Sequence, residues 1–233
     1  MIETVPQTGS TNADLAARIR TGEAVPEGHW LIAERQTDGR GRQGREWFDG
    51  AGNFMGSTVV HLAFGDPAPG SLALLAGLAL HEVISLYRSG TMLKWPNDVM
   101  IGDAKLAGIL LEREGDAVII GIGVNLVSAP QIPDRPTIAL ADPSTAPPLG
   151  KFAAELAGQF AVELGRWRAY GLPSVIIRWL AAGHKLGTAL TVGEPGEAKL
   201  AGSFAGLTED GLLQLRLGDG SLAIVNAGEV RLS

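Results

Sequence analysis

The chain has 233 residues, no cysteine, 45% hydrophobic and 19% charged content, and a formal net charge of -6. This excludes disulfides, thiolate nucleophiles and Cys-ligated zinc, and the acidic balance disfavours a general nucleic-acid binder. Met1 to Pro6 lacks the basic start and apolar run of a signal peptide, and the longest apolar run, Leu72 to Leu86, is interrupted by Gly77, His81 and Glu82, so the expected setting is the cytoplasm, without membrane attachment.

In chain order, Ser10, Thr11 and Asn12 are candidate caps for a helix that carries Asp14 in its first turn and Leu15 and Ile19 on its apolar face. Hydroxyl and amide groups at a helix start also suit a small polar ligand. The run His29 to Gln36 reads as a buried strand. It feeds directly into Gly39-Arg40-Gly41-Arg42-Gln43-Gly44-Arg45, with three glycines and three arginines in seven residues. Glycine lets the backbone approach a ligand closely, and arginine offers a planar cationic fork. An anion-binding loop, a solvated surface turn and an RG-type nucleic-acid patch all fit this segment. Trp47 and Phe48 are placed to anchor its far end.

A strand is expected over Asn53 to Leu62, and a long helix over Ser71 to Ser89 with Gly90 as its C-cap. Met92 to Ile101, with a Pro96-Asn97-Asp98 bend, and Lys105 to Glu112 read as strands joined by a Gly102-Asp103 hairpin turn, with another strand over Val118 to Ile122. Gly108, Gly121 and Gly123 lie in otherwise core-like strands, where a bulge, tight packing or a ligand would need the room. Pro130 to Pro148 reads as an irregular connection, followed by helices over Gly150 to Tyr170 and Leu172 to Ala182. Beyond a boundary near Gly183, short strands over Thr188 to Val192, Ala198 to Phe204, Leu212 to Leu217 and Leu222 to Val225 suggest a small antiparallel barrel. His29, His61, His81 and His184 lack a neighbouring catalytic pattern and read as structural.

Five blocks stand in order: Ser10-Thr11-Asn12, the Gly39 to Arg45 loop, Lys94-Trp95-Pro96-Asn97-Asp98, Lys105-Leu106-Ala107-Gly108-Ile109 and Gly121-Ile122-Gly123-Val124-Asn125. Together with Gly206 to Gly211 near the C-terminus, they make the chain resemble the biotin protein ligases along nearly its whole length. The resemblance implies an α+β catalytic domain over residues 1–183, a mixed sheet flanked by helices as in class II aminoacyl-tRNA synthetases, and an SH3-like C-terminal domain over 184–233. It implies activation of biotin by Mg2+-ATP to biotinyl-5'-AMP, then transfer to a lysine of a biotin carboxyl carrier domain. Because nine residues precede Ser10, no winged helix-turn-helix, no DNA partner and no repressor function are expected.

The site roles follow from the same resemblance. Lys105, Arg40 and Arg42 would be catalytic. Ser10, Thr11, Asn12, Gln36, Gly39, Arg40, Gly41, Arg42, Lys105, Gly108, Gly121 and Gly123 would bind biotin. Arg40, Arg42, Arg45, Trp47, Asn97, Lys105 and Asn125 would face the nucleotide, and Asn97, Asp98 and Asn125 would be oxygen ligands for the metal, Asp98 serving alternatively as a base. Trp95 reads as core. The Gly39 to Arg45 loop would be a lid, mobile until biotin and adenylate order it. Lipoate ligation, nucleic-acid binding through the arginine loop and a catalytically inactive biotin sensor remain open as alternatives, and the resemblance leaves homodimer formation through sheet edges open.

Overall fold

The computed structural model describes residues 1–133, 135–141, 145–193 and 199–232. Its larger sheet has seven strands among the described residues: β1 (Ile2–Val5), β2 (Trp30–Ala33), β3 (Phe54–His61), β4 (Thr91–Lys94), β5 (Asp98–Ile101), β6 (Ala104–Glu114) and β7 (Ala117–Val124). The order is β1-β2-β3-β7-β6-β5-β4, with β1 parallel to β2 and the other pairs antiparallel. The expected mixed sheet in an α+β fold is therefore present.

Side chains alternate across a strand, and the two faces of this sheet separate cleanly. Trp30, Ile32, Val60, Val118 and Ile120 point towards α2 (Leu72–Ser85) and α3 (Leu149–Ala182), in the main core. Leu31, Val59, Ala117 and Ile119 point the other way, onto Leu15 of α1 (Thr11–Arg20). Ser10 caps α1 as expected, its hydroxyl accepting from Ala13 N at 3.4 Å. The α2 helix ends at Ser85 with Leu86 as cap, so Gly90 instead occupies the turn into β4. The two expected C-terminal helices run together as α3 but are broken at Gly171, whose φ of 69° is open to glycine and strained for other residues.

The C-terminal strands β8 (Ala189–Gly193), β9 (Leu200–Leu207), β10 (Leu213–Arg216), β11 (Leu222–Val225) and β12 (Glu229–Leu232) form an antiparallel sheet in the order β11-β10-β9-β8-β12. The expected start of a strand at Ala198 lies outside the described residues, as does part of the Pro130 to Pro148 connection. Strand β12 was not expected from the sequence. The inner face of this sheet shares one core with the larger unit through Leu190, Phe204, Leu213, Leu215 and Val230. Trp95 is buried core, as expected, and its indole N–H also donates to Gly211 O at 3.1 Å.

Candidate active site

The α1 face of β7 reads Ala117, Ile119, Gly121, Gly123. Under α1 that face is apolar core. Beyond the start of α1 the side chains vanish, and a cavity of about 960 Å³ opens above the glycines. Gly108 of β6 pairs directly with Gly123 and extends the same floor.

At one end of the cavity a chain of buried polar groups runs through Gln36, Thr11, Ser57 and Asn12 and ends on the exposed Glu112 of β6. Gln36 Oε1 accepts from Thr11 N at 2.7 Å and Thr11 Oγ1 at 3.1 Å. Thr11 Oγ1 lies 2.6 Å from Ser57 Oγ, which donates to Asn12 Oδ1 at 2.5 Å, and Asn12 Nδ2 donates to Glu112 Oε2 at 2.7 Å. Burial makes unpaired polar groups costly, so these contacts hold the donors and acceptors in fixed directions. The sequence reading brought Ser10, Thr11, Asn12 and Gln36 here but missed Ser57 and Glu112. Ser57 stands beside Thr58 in the β3 run, and no local signal set it apart.

The other end is cationic. Lys105 Nζ donates to Asp98 Oδ1 at 2.6 Å and sits 5.6 Å from the Trp47 ring centroid. Arg42 donates to Asn97 Oδ1 at 3.2 Å, while Asn97 Nδ2 donates to Ile109 O at 2.7 Å. Arg45 approaches Glu229 of β12 at 3.5 Å, and Arg135 lies 2.8 Å from the same carboxylate. Lys94 is 3.8 Å from Asp98 and is pushed below its ordinary pKa, first by burial and then by the neighbouring cations Lys105 and Arg135, against the pull of Asp98 and Glu229. His184 is lowered likewise by burial and then by Lys94. Glu229, Arg135, Lys94 and His184 all line the cavity and were not assigned from sequence. For His184 the structural reading is incomplete, because its buried Nε2 has no hydrogen-bond partner among the described residues.

The Gly39 to Arg45 segment is closed by its own backbone: Gly41 N donates to Arg45 O at 2.7 Å and Trp47 N to Gly39 O at 2.8 Å. Gln43 takes φ 61°, the one non-glycine residue with positive φ among those described, which is a strained position. Arg40 is exposed, its guanidinium pairing with Asp38 at 2.6 Å and its backbone bridging to Glu46. Neighbouring side chains stand close over the glycine floor. A Cβ at Gly123 would fall 2.2 Å from the Trp47 indole, one at Gly108 2.9 Å from Lys105 Nζ, and one at Gly121 2.5 Å from Asn12 Oδ1. The cleared space therefore seats protein side chains, and the three glycines themselves also line the cavity.

Of the three residues expected at a metal, Asn97 gives its oxygen to Arg42, and Asp98 faces Lys105 and Lys94. Asn125 Oδ1 is buried with no hydrogen-bond partner among the described residues. The three do not form a ready metal cage, and no cluster of three His, Asp or Glu suited to a metal occurs among the described residues.

Residues 5–125 match the biotin/lipoate A/B protein ligase family, and residues 186–233 match the biotin protein ligase C-terminal domain. A biotin-[acetyl-CoA-carboxylase] ligase from Mycobacterium tuberculosis is 36% identical, the alignment covering 98% of this chain and 88% of that protein. The chain belongs to the biotin protein ligase family. A second biotin-[acetyl-CoA-carboxylase] ligase, from Paracoccus denitrificans, is 34% identical over 96% of this chain and 97% of its own length. The Aquifex aeolicus biotin protein ligase solved in complex with biotin and ATP superposes with a TM-score of 0.85 at 25% identity, covering 100% of this chain and 99% of that one. This member of the biotin protein ligases is accordingly a ligase, and none of its helices, among the described residues, is long and apolar enough to cross a membrane.

Proposed function

We propose that the chain joins biotin to ATP as biotinyl-5'-AMP and passes the biotinyl group to a lysine of a biotin carboxyl carrier domain, without repressor activity. The observation that carries this reading is that one cavity joins the fixed hydroxyl and amide end of Thr11, Asn12, Gln36 and Ser57 to the cationic end of Arg42, Arg45 and Lys105. The Aquifex complex with biotin and ATP supports the choice of both substrates, and the net charge of -6 disfavours a DNA partner.

In the first step a biotin carboxylate oxygen attacks the α-phosphorus of ATP, and pyrophosphate leaves with the bond electrons. Two anions must meet, so the site has to supply positive charge and fixed donors. Lys105 would bridge carboxylate and phosphate oxygens as the anhydride forms, and Arg40 and Arg42 would hold the two anions together. In the second step the carrier amine attacks the acyl carbon and AMP departs. The ureido end of biotin would sit against Thr11, Asn12 and Gln36. Trp47 would wall the nucleotide side. Magnesium would arrive with ATP, keeping most of its waters and phosphate oxygens and taking Asn125 Oδ1 as protein ligand. The same reading divides the chain near Gly183 into a catalytic part and an SH3-like part, supported by the second family match beginning at residue 186.

The test is incubation with radiolabelled biotin, ATP and a biotin carrier domain. Covalent label on the carrier is expected. Label from lipoate in place of biotin, or biotin binding without transfer, overturns the proposal.

A further inference from the structure

Thr11, Asn12, Gln36 and Ser57 all line the polar end of the cavity, and Glu112 stands outside it. Along β6 the residues Gly108, Leu110 and Glu112 share one face of the larger sheet, opposite Gly123, Gly121 and Ile119 of β7. Glu112 is thus one row beyond the cavity wall. From there its Oε2 accepts from Asn12 Nδ2 at 2.7 Å, an exposed carboxylate holding a buried amide.

A carboxylate accepts hydrogen bonds and donates none, whereas an amide donates through nitrogen and accepts through oxygen. Glu112 therefore turns the nitrogen of Asn12 towards itself and leaves Oδ1 towards Ser57. Ser57 Oγ donates to that oxygen at 2.5 Å and so commits its one proton. Across the 2.6 Å contact between Thr11 Oγ1 and Ser57 Oγ, Ser57 can then only accept. The Thr11 proton goes to Ser57 or to Gln36 Oε1 at 3.1 Å, and in either position it is taken up by the protein. Both hydroxyls have spent their protons, so towards a ligand Thr11 and Ser57 offer lone pairs alone.

We infer that Glu112 is a positioning residue, which fixes the direction of this hydrogen-bond chain and so makes the polar end of the cavity select a ligand N–H. The assignment rests on the biotin-binding function proposed above, since a ureido ring brings N–H donors to an acceptor-only wall. Without a fixed carboxylate the Asn12 amide is free to turn over. Nδ2 then donates to Ser57 and Ser57 to Thr11, and the Thr11 proton is left to choose between Gln36 and a ligand oxygen. The charge of Glu112 separates two hydrogen-bond patterns of the same atoms, with no change of shape.

The test uses the full chain, biotin, and the two cyclic-carbamate analogues in which oxygen replaces one or the other ureido N–H. Each is titrated by calorimetry against wild type and Glu112→Gln. Glutamine matches glutamate in shape and can bond to Asn12 in either direction, so melting curves should overlay and only the direction is released. Wild type should bind biotin at least about tenfold more tightly than one of the analogues, and in Glu112→Gln that preference should shrink at least about threefold, because a buried acceptor facing a ring oxygen goes unpaired. ATP affinity should not change. The same preference in both proteins, no preference in wild type, or an equal loss of affinity for all three ligands overturns the role of Glu112. No biotin binding by wild type refutes the substrate proposed above and this role with it. A preference that depends on Glu112, in a protein that forms no biotinyl-5'-AMP, would refute adenylation and leave the role of Glu112 standing.

Discussion

The indole of Trp47 fills the place that a side chain at residue 123 would take, its Cε2 standing 2.2 Å from where a Cβ would be built on Gly123. A rigid ring cannot yield by rotating a flexible end, so Gly123→Ala has to expel Trp47 or move β7. Overpacking of this kind costs about 1–3 kcal/mol. A melting temperature lower by several degrees and a raised KM for ATP are expected. Gly158 on the exposed face of α3 has nothing within 4 Å of its Cβ position, and Gly158→Ala should instead stabilise by about 0.5–1 kcal/mol, since alanine favours helix. Similar melting shifts for the two variants would show that Trp47 is not wedged.

Lys105 lies on the cavity floor with its ammonium against Asp98. Its removal takes away the donor expected to meet the developing anhydride. Judged by the loss of one oxyanion donor, Lys105→Ala should slow adenylation by about 10²–10³-fold, or about 3 kcal/mol. Single-turnover formation of biotinyl-5'-AMP measures this, and a rate within about threefold of wild type would remove Lys105 from the chemistry.

Glu163 is fully buried on the first half of α3 and pairs with Arg178 on the second half, beyond the Gly171 break, and with Arg166 at 2.8 Å. Arg178 also reaches Glu82 of α2. The carboxylate therefore clamps the broken helix to itself and to its neighbour. Removing one member of a buried pair is costly, but both arginines are partly solvated, so Glu163→Ala should cost about 2 kcal/mol. For a chain of this size that is about 4–8 °C in melting temperature. Adenylation per folded molecule should be unaffected, and a selective loss of activity would argue against a structural role.

Acid should weaken the fold through Glu27 and Glu3. Hydrogen bonds from Arg168 hold Glu27 below its ordinary value of 4.5, and those from Arg18 do the same for Glu3, in each case against burial. With the folded pKa depressed, the unfolded chain takes up protons first, so the stabilisation is complete above pH 4.5 and is lost as pH falls through the folded values. Arg168 also binds Asp66 and His61 O. Arg168→Met should lower the melting temperature at pH 7, and its curve should approach that of wild type as pH falls below 4.5. Parallel curves would show that Glu27 does not drive the acid limb.

The arginine loop projects Arg40 into solvent, with Asp38 as its ion-pair partner. If the loop closes over a bound adenylate, it shields the mixed anhydride from water. Trypsin should cut after Arg40, Arg42 or Arg45 in the free protein and be slowed at least tenfold by biotin with ATP. Arg40→Ala should lose that protection and release biotinyl-5'-AMP into solution. Equal cleavage with and without ligands would identify the segment as a fixed turn.

Local pattern alone determined much of this protein. The capped α1, the strands on either side of the arginine loop, the hairpin turn at Gly102-Asp103 and the division of α3 near Gly171 all follow from hydrophobic period and turn residues, which act over a few neighbours. The alternating Gly121 and Gly123 already marked one face of one strand as bare. Tertiary structure decided what fills that face, because Trp47 and Asn12 arrive from elements distant in sequence. It also decided that β12 closes the cavity. That strand is four residues long, carries two charges, and acquires its register only by pairing with β8. His184 read as an ordinary core histidine for the same reason. Its missing partner becomes visible only when the chain returns to lay Gly183 beside Leu93, since burial and hydrogen-bond satisfaction belong to the packed molecule and not to any stretch of its sequence.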